Sequence, residues 1–221
     1  MAGLTGGSGG PGGDRGQAFT LEGLLGAFVV LTAVLFAVQA VVGTSTVGGQ
    51  IDDNTRTNLR VQANDVLSTT ADAGLSDLSY AVRYWSSPQQ RFYGADSRTV
   101  GYGEDGPPTV LFGDALDDTF VSQGRSYNVV VRYRGDPTDP DVGPGTERML
   151  WRGSPRSDSV VASHTATLYD NMTLTAPDAS SRELWEYDAN ASDGDGGFYP
   201  IPDADPDGPL YNVVEVRVIV W

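Results

Sequence analysis

After Glu22 no charged residue appears until Asp52, and residues 23–42, GLLGAFVVLTAVLFAVQAVV, are apolar at nearly every position. Twenty helical residues at 1.5 Å each reach about 30 Å, the thickness of a bilayer's hydrocarbon layer. A core helix of a soluble protein keeps a polar stripe, and Thr32 and Gln39 are too few to make one. The segment is therefore expected in lipid or against other apolar helices, as a transmembrane helix, and it organises the chain. Residues 1–16 read as a leader in which eight positions are Gly, and 17–50 as the apolar helix with a hinge at Gly43, Gly48 and Gly49. Residues 51–87 carry a helical period, and 88–221 read as an acidic, β-rich ectodomain.

Three fates of the apolar segment are compatible with its flanks. As a secretory signal it would be cut after Val38-Gln39-Ala40, although Glu22 interrupts the usual basic-then-apolar order. As an uncut anchor it has only Arg15 before it and Arg56 and Arg60 beyond it, so charge gives little orientation. The third rests on the junction Asp14-Arg15-Gly16-Gln17-Ala18-Phe19-Thr20-Leu21-Glu22. A short hydrophilic leader ending in Arg-Gly, then Gln-Ala-Phe-Thr-Leu-Glu and an apolar helix, resembles type IV prepilins, and more narrowly the pilin-like proteins of haloarchaea. The resemblance covers about 30 residues. It implies cleavage by a prepilin peptidase between Gly16 and Gln17, on the cytoplasmic side, with the helix retained. Pilins of bacterial type carry Glu at the fifth mature position; here Glu22 would be sixth, and a carboxylate in apolar surroundings requires a cationic partner.

Charge narrows the function classes. The chain has 14 basic and 29 acidic residues, and every basic residue is Arg. Setting aside Arg15, Asp14 and Glu22 leaves 13 basic against 27 acidic residues in the ectodomain, a net −14. Such a field repels phosphate, so no nucleic-acid partner is expected. With 10% aromatic residues and many valine runs, the segment is nonetheless expected to be ordered. An ordered, acidic, Lys-free, Asp-rich domain resembles proteins of halophilic archaea, in which salt screens the self-repulsion. There is no Cys, which removes disulfides, thiolate metal sites, Cys nucleophiles and a lipobox.

Hydrophobic period supplies the fold class. Leu59, Ala63, Val66, Leu67, Ala71, Gly74, Leu75, Leu78, Val82 and Trp85 recur at three- and four-residue spacings, predicting one amphipathic helix ended by Ser86-Ser87-Pro88. Beyond it the period becomes two, with strands expected at 109–112, 119–122, 126–134, 148–151, 160–174 and 211–221. The last is the cleanest: Val214, Val216, Val218 and Val220 share one face, Glu215 and Arg217 the other. The expected class is α+β, a helix packed on an antiparallel sheet in the manner of a pilin. Loops rich in Gly, Pro and Asp are expected at 101–108, 135–145 and 188–208, the last exposed or disordered, with the four Trp filling the core.

Few residues suggest chemistry. Asp203, Asp205 and Asp207 alternate before Gly208 like the start of an EF-hand loop, but the twelfth position is Val214 and Pro206 intervenes. A looser oxygen site, joined by Asp193 and Asp195, is the weak metal expectation. His164 is the only histidine, and with no Cys it cannot build a zinc site of usual composition. There is no Gly-x-Ser-x-Gly elbow, P-loop or dinucleotide fingerprint, so neither an enzyme nor a cofactor is expected. Asn171-Met172-Thr173 and Asn190-Ala191-Ser192 are N-glycosylation sequons, Asn190 being favoured by its loop. The expected protein is thus a single-pass, pilin-like structural or interaction protein of the archaeal cell surface. Its partners would be membrane lipid, the prepilin peptidase and other pilin-like subunits of a surface filament. The alternative is a membrane-tethered binding module, cation-binding through its Asp-rich loop, that does not polymerise.

Overall fold

The computed structural model describes residues 26–32, 53–71, 77–103, 111–190 and 197–221, and the chain divides into two units, 1–50 and 51–221. The leader junction at Gly16, Gln17 and Glu22 and most of the apolar segment lie outside the described residues. Among the described residues no helix is long and apolar enough to cross a membrane. In the first unit residues 26–32 are helical, and Phe28, Val29, Val30 and Leu31 are all more than 60% exposed. The Thr32 hydroxyl donates to the Phe28 carbonyl at 2.7 Å, so this polar side chain is satisfied within the helix itself.

The second unit is α+β. Helix α1 (Asp53–Ala71) buries Leu59, Ala63, Val66, Leu67 and Thr70 along one side, the spacing that period 3.6 requires. The Thr70 hydroxyl donates to the Val66 carbonyl at 2.7 Å, which lets it sit in the core without an orphaned polar atom. The single helix expected over 51–87 is instead two helices. Asp77 has an extended backbone, and its carboxylate accepts from the Tyr80 amide at 2.8 Å, opening a short α2 (Leu78–Val82). An Asp before an apolar residue is a helix-start signal. Here it overrides continuous periodicity, and by Trp85 the chain is already in a hairpin, β1 (Trp85–Ser86) with β2 (Arg91–Phe92). Residues 51–221 form one compact unit.

A second correction concerns the strands expected at 109–112 and 119–122. Leu111–Thr119 is helix α3, followed by a 3-10 turn, Val121–Gln123, closed by Gly124 at φ 69°. Phe112, Leu116 and Phe120 are buried four residues apart, a helical stripe with Asp114, Asp117 and Asp118 off it. The remaining strands form one antiparallel sheet: β3 (Tyr127–Tyr133), β4 (Gly145–Leu150), β5 (Val160–Tyr169) and β6 (Leu210–Val220), in the order β4-β3-β6-β5. The C-terminal strand is thus central. Its Val214, Val216, Val218 and Val220 are fully buried, facing the layer of helices with Val129 and Val131 of β3 and Ala162, Ala166 and Leu168 of β5. Helix α1 lies over β5 and beside α3. At the start of β4 the Tyr133 ring lies so close to Gly145 that a Cβ would meet its hydroxyl, so only Gly fits there.

The 188–208 segment also departs from expectation. In its described part Phe198, Tyr199, Ile201 and Pro202 are buried. The Phe198 amide donates to the Ser87 hydroxyl at 2.9 Å, the Tyr211 hydroxyl to the Ile201 carbonyl at 2.6 Å, and the Asn212 amide to the Pro202 carbonyl at 2.8 Å. Trp85 sits at the centre of this region, edge-on to Phe92 at 5.2 Å and near Tyr199 at 6.3 Å. Trp151 and Trp221 are only half-buried and Trp185 is 57% exposed, so one of the four tryptophans is a core residue in full. Burial pushes the phenols of Tyr102, Tyr199 and Tyr211 far above their ordinary range, which keeps them neutral inside the protein.

Candidate functional site

The residues singled out from the sequence are dispersed. Asn171 is exposed in the turn after β5. Asn190 is exposed too, but its side-chain amide donates to Asp139 at 3.2 Å and its backbone amide to Asp188 at 2.7 Å. Ser192 of that sequon lies outside the described residues, as do Asp193 and Asp195. Asp203 accepts from the Asp205 amide at 2.9 Å, and the Gly208 amide closes onto the Asp205 carbonyl at 2.9 Å, so Asp203, Asp205 and Asp207 build a turn. Among the described residues no group of three or more His, Cys, Asp or Glu is placed to hold a metal ion. His164 is half-buried on β5 and pairs with Val216.

What the sheet assembles instead is charge on its outer face. Residues directly opposite in an antiparallel ladder share a face. The register therefore lays out one row, Arg148, Val130, Arg217 and Ser163, and beside it a second, Thr146, Arg132, Glu215 and Thr165. Two guanidiniums meet a single carboxylate: Glu215 lies 3.4 Å from Arg132 and 3.8 Å from Arg217. Arg148 stacks on Trp151, 4.3 Å from the ring centroid, donates to the Thr99 carbonyl at 3.1 Å, and has no carboxylate partner among the described residues. Val130, between Arg148 and Arg217 in the first row, is buried although it lies on this face. In a chain of net charge −15 this face is net positive.

The opposite sign gathers at one end of the same sheet, where β3 and β5 finish and β6 begins. Asp136 follows β3, Asp170 follows β5, and Asp203 and Asp205 precede β6. Burial, with the neighbouring charges of Asp170, Asp136 and Asp205, holds the Asp203 carboxyl above the ordinary range. Burial, with Asp205 and Glu183, does the same for Asp170. Asp136 is lowered by hydrogen bonds from the Thr138 hydroxyl and amide. A raised carboxyl binds its proton more tightly folded than unfolded. These two aspartates therefore oppose folding at neutral pH, and the penalty fades as pH falls through their raised titration range.

A different charge pair stabilises the core. Glu147 shares the inner face with Val131, its side chain 9% exposed, and meets Arg98 at 2.5 Å. Arg98 also lies over the Phe198 ring at 4.8 Å. In Arg98→Met the packing persists but Glu147 is left buried and unpaired, and a loss of about 2–3 kcal/mol is expected. The double variant Arg98→Met/Glu147→Met should recover most of it in thermal melts of the full chain. Equal losses for both would show that the pair contributes nothing as a pair.

Residues 15–220 match a family of unknown function, DUF7288, and the chain belongs to that family. No curated protein and no solved structure matches it.

Proposed function

We propose that the chain is a membrane-anchored, pilin-like structural protein of the cell surface, held by residues 23–42, with residues 51–221 displayed outside as an acidic head. The observation that carries this reading is the junction Arg15-Gly16-Gln17-Ala18-Phe19-Thr20-Leu21-Glu22 set directly before twenty uncharged, apolar residues. Three features support it. The described part of that segment, 26–32, is helical with large apolar side chains exposed, which water does not favour and lipid or a neighbouring helix does. The head packs a helix that begins three residues after Gln50 across an antiparallel sheet, the arrangement the resemblance implies. A polar outer sheet face and a surplus of carboxylates suit exposure to saline solvent.

Prepilin processing predicts a mature chain beginning at Gln17, read by N-terminal sequencing of protein purified from membranes. A chain beginning at Met1 or Ala2 is an uncut anchor. One beginning at Val41 has lost the helix, and with it any assembly through that helix.

A further inference from the structure

Among the described residues the outer face of the sheet is exposed or half-buried except at Asn128 and Val130, and its charge is opposite to that of the molecule as a whole. Arg132 and Arg217 compete for one carboxylate, Glu215, and Arg148 has none among the described residues. At about 4.8 Å between strands the guanidinium-bearing positions of β4 and β6 lie on the order of 10 Å apart, flanked by Thr146, Ser163 and Thr165. This is a surface of net positive charge on three paired strands. An open depression bordering it is lined by Arg132, Arg134, Thr146, Val213 and Glu215.

We propose that this arginine face docks the acidic end of the sheet, Asp170, Asp203 and Asp205, of a second copy of the same chain. The inference rests on the reading of the chain as a surface subunit present in many copies. Three observations select this occupant. The two surfaces are complementary in sign, so the face of one copy attracts the acidic end of another. The Asp203 carboxyl is surrounded by other carboxylates of its own chain, so cations from a neighbour relieve a repulsion the single copy cannot. All the cations available are guanidiniums, which pair carboxylates bidentately at contact distance. That chemistry persists where salt shortens the screening length to about 3 Å at 1 M.

The absence of cysteine from the chain makes the contact directly readable. Two full-length copies are co-expressed, one carrying Thr146→Cys beside the arginine face and the other Asp207→Cys beside the acidic end, both exposed positions. Mild oxidation of the membranes is expected to give a cross-linked dimer for this mixed pair, at least about tenfold above either same-site pair. Adding Arg132→Glu/Arg217→Glu to both copies should abolish the cross-link, as should Asp203→Arg/Asp205→Arg in both. Combining a reversed face on the Thr146→Cys copy with a reversed acidic end on the Asp207→Cys copy should restore it. Restoration also proves that both variants fold. A mixed pair that cross-links no more than the same-site pairs overturns the proposal, as does charge reversal without effect. Loss without restoration also overturns it, with neutral Arg132→Gln/Arg217→Gln as the milder variant, expected to weaken the cross-link. N-terminal sequencing of the same membranes separates the two ideas. A chain cut at Gln17 with no cross-link removes this contact alone, and an uncut chain that cross-links keeps the contact while losing prepilin processing.

Discussion

Deleting residues 210–221 is expected to abolish the fold of the 51–221 unit, not merely to fray its end. A C-terminal strand at the margin of a sheet can be lost with local damage. Here β6 is hydrogen-bonded on both sides, to β3 and to β5, and four of its valines are fully buried under the helical layer. At about 1.5–3 kcal/mol per buried aliphatic side chain, those four alone are comparable to the whole stability of a typical domain, about 5–15 kcal/mol. Its removal also strips the partners of Tyr199 and Ile201, because Tyr211 stacks on one at 6.2 Å and hydrogen-bonds the carbonyl of the other. The truncated full-length chain should lose cooperative melting and become protease-sensitive beyond residue 53. The point variant Val216→Asp, which places a carboxylate at a fully buried position, should cost more than about 4 kcal/mol. A truncated chain that still melts cooperatively would mean that β3 and β5 can close on each other.

The second large effect belongs to Trp85. Its side chain has no exposure and is enclosed by Phe92, Phe198 and Tyr199, so Trp85→Ala should cost about 3–5 kcal/mol. Trp185→Ala removes an identical side chain from a site 57% exposed, with the indole N–H held by Glu183 at 2.8 Å, and should stay within about 0.5 kcal/mol. Thermal melts of the two variants, with acrylamide quenching of the remaining indoles, give the comparison. The Trp85 indole N–H finds no acceptor among the described residues, so Trp85→Phe should be tolerated better than the lost volume alone implies. Equal losses for the two alanine variants would place the centre of the core elsewhere.

The local chemistry that each stretch carries explains which parts of the fold were legible. The alternation in β6 and the 3.6 period of α1 were read correctly because each repeats over ten or more residues. The strands expected at 109–112 and 119–122 give way to a helix because Leu111-Phe112 looks like a short apolar strand, and only the four-residue spacing to Leu116 and Phe120 reveals the helix. Asp77 carried a cap signal that the longer periodicity outweighed. The Phe198-Tyr199 pair stood among Gly, Pro and Asp, and turn composition hid its aromatic content. Of the candidate sites, Asn171 and Asn190 were found as exposed residues, whereas the arginine face was invisible.

The sequence by itself determined the period of each long element, and with it which side chains share a strand face. It also determined the acidic balance, the absence of thiols and the uncharged apolar segment after Glu22. The tertiary structure alone decided that the last strand lies between β3 and β5, that residues 197–202 enter the core, and that Arg132, Arg148 and Arg217 stand together. The physical reason is the range of the interactions. Alternation is a property of one strand and is written in consecutive residues. Neighbourhood in a sheet depends on pairing across 85 residues, as between Val131 and Val216, and is selected by the burial of the whole inner face at once.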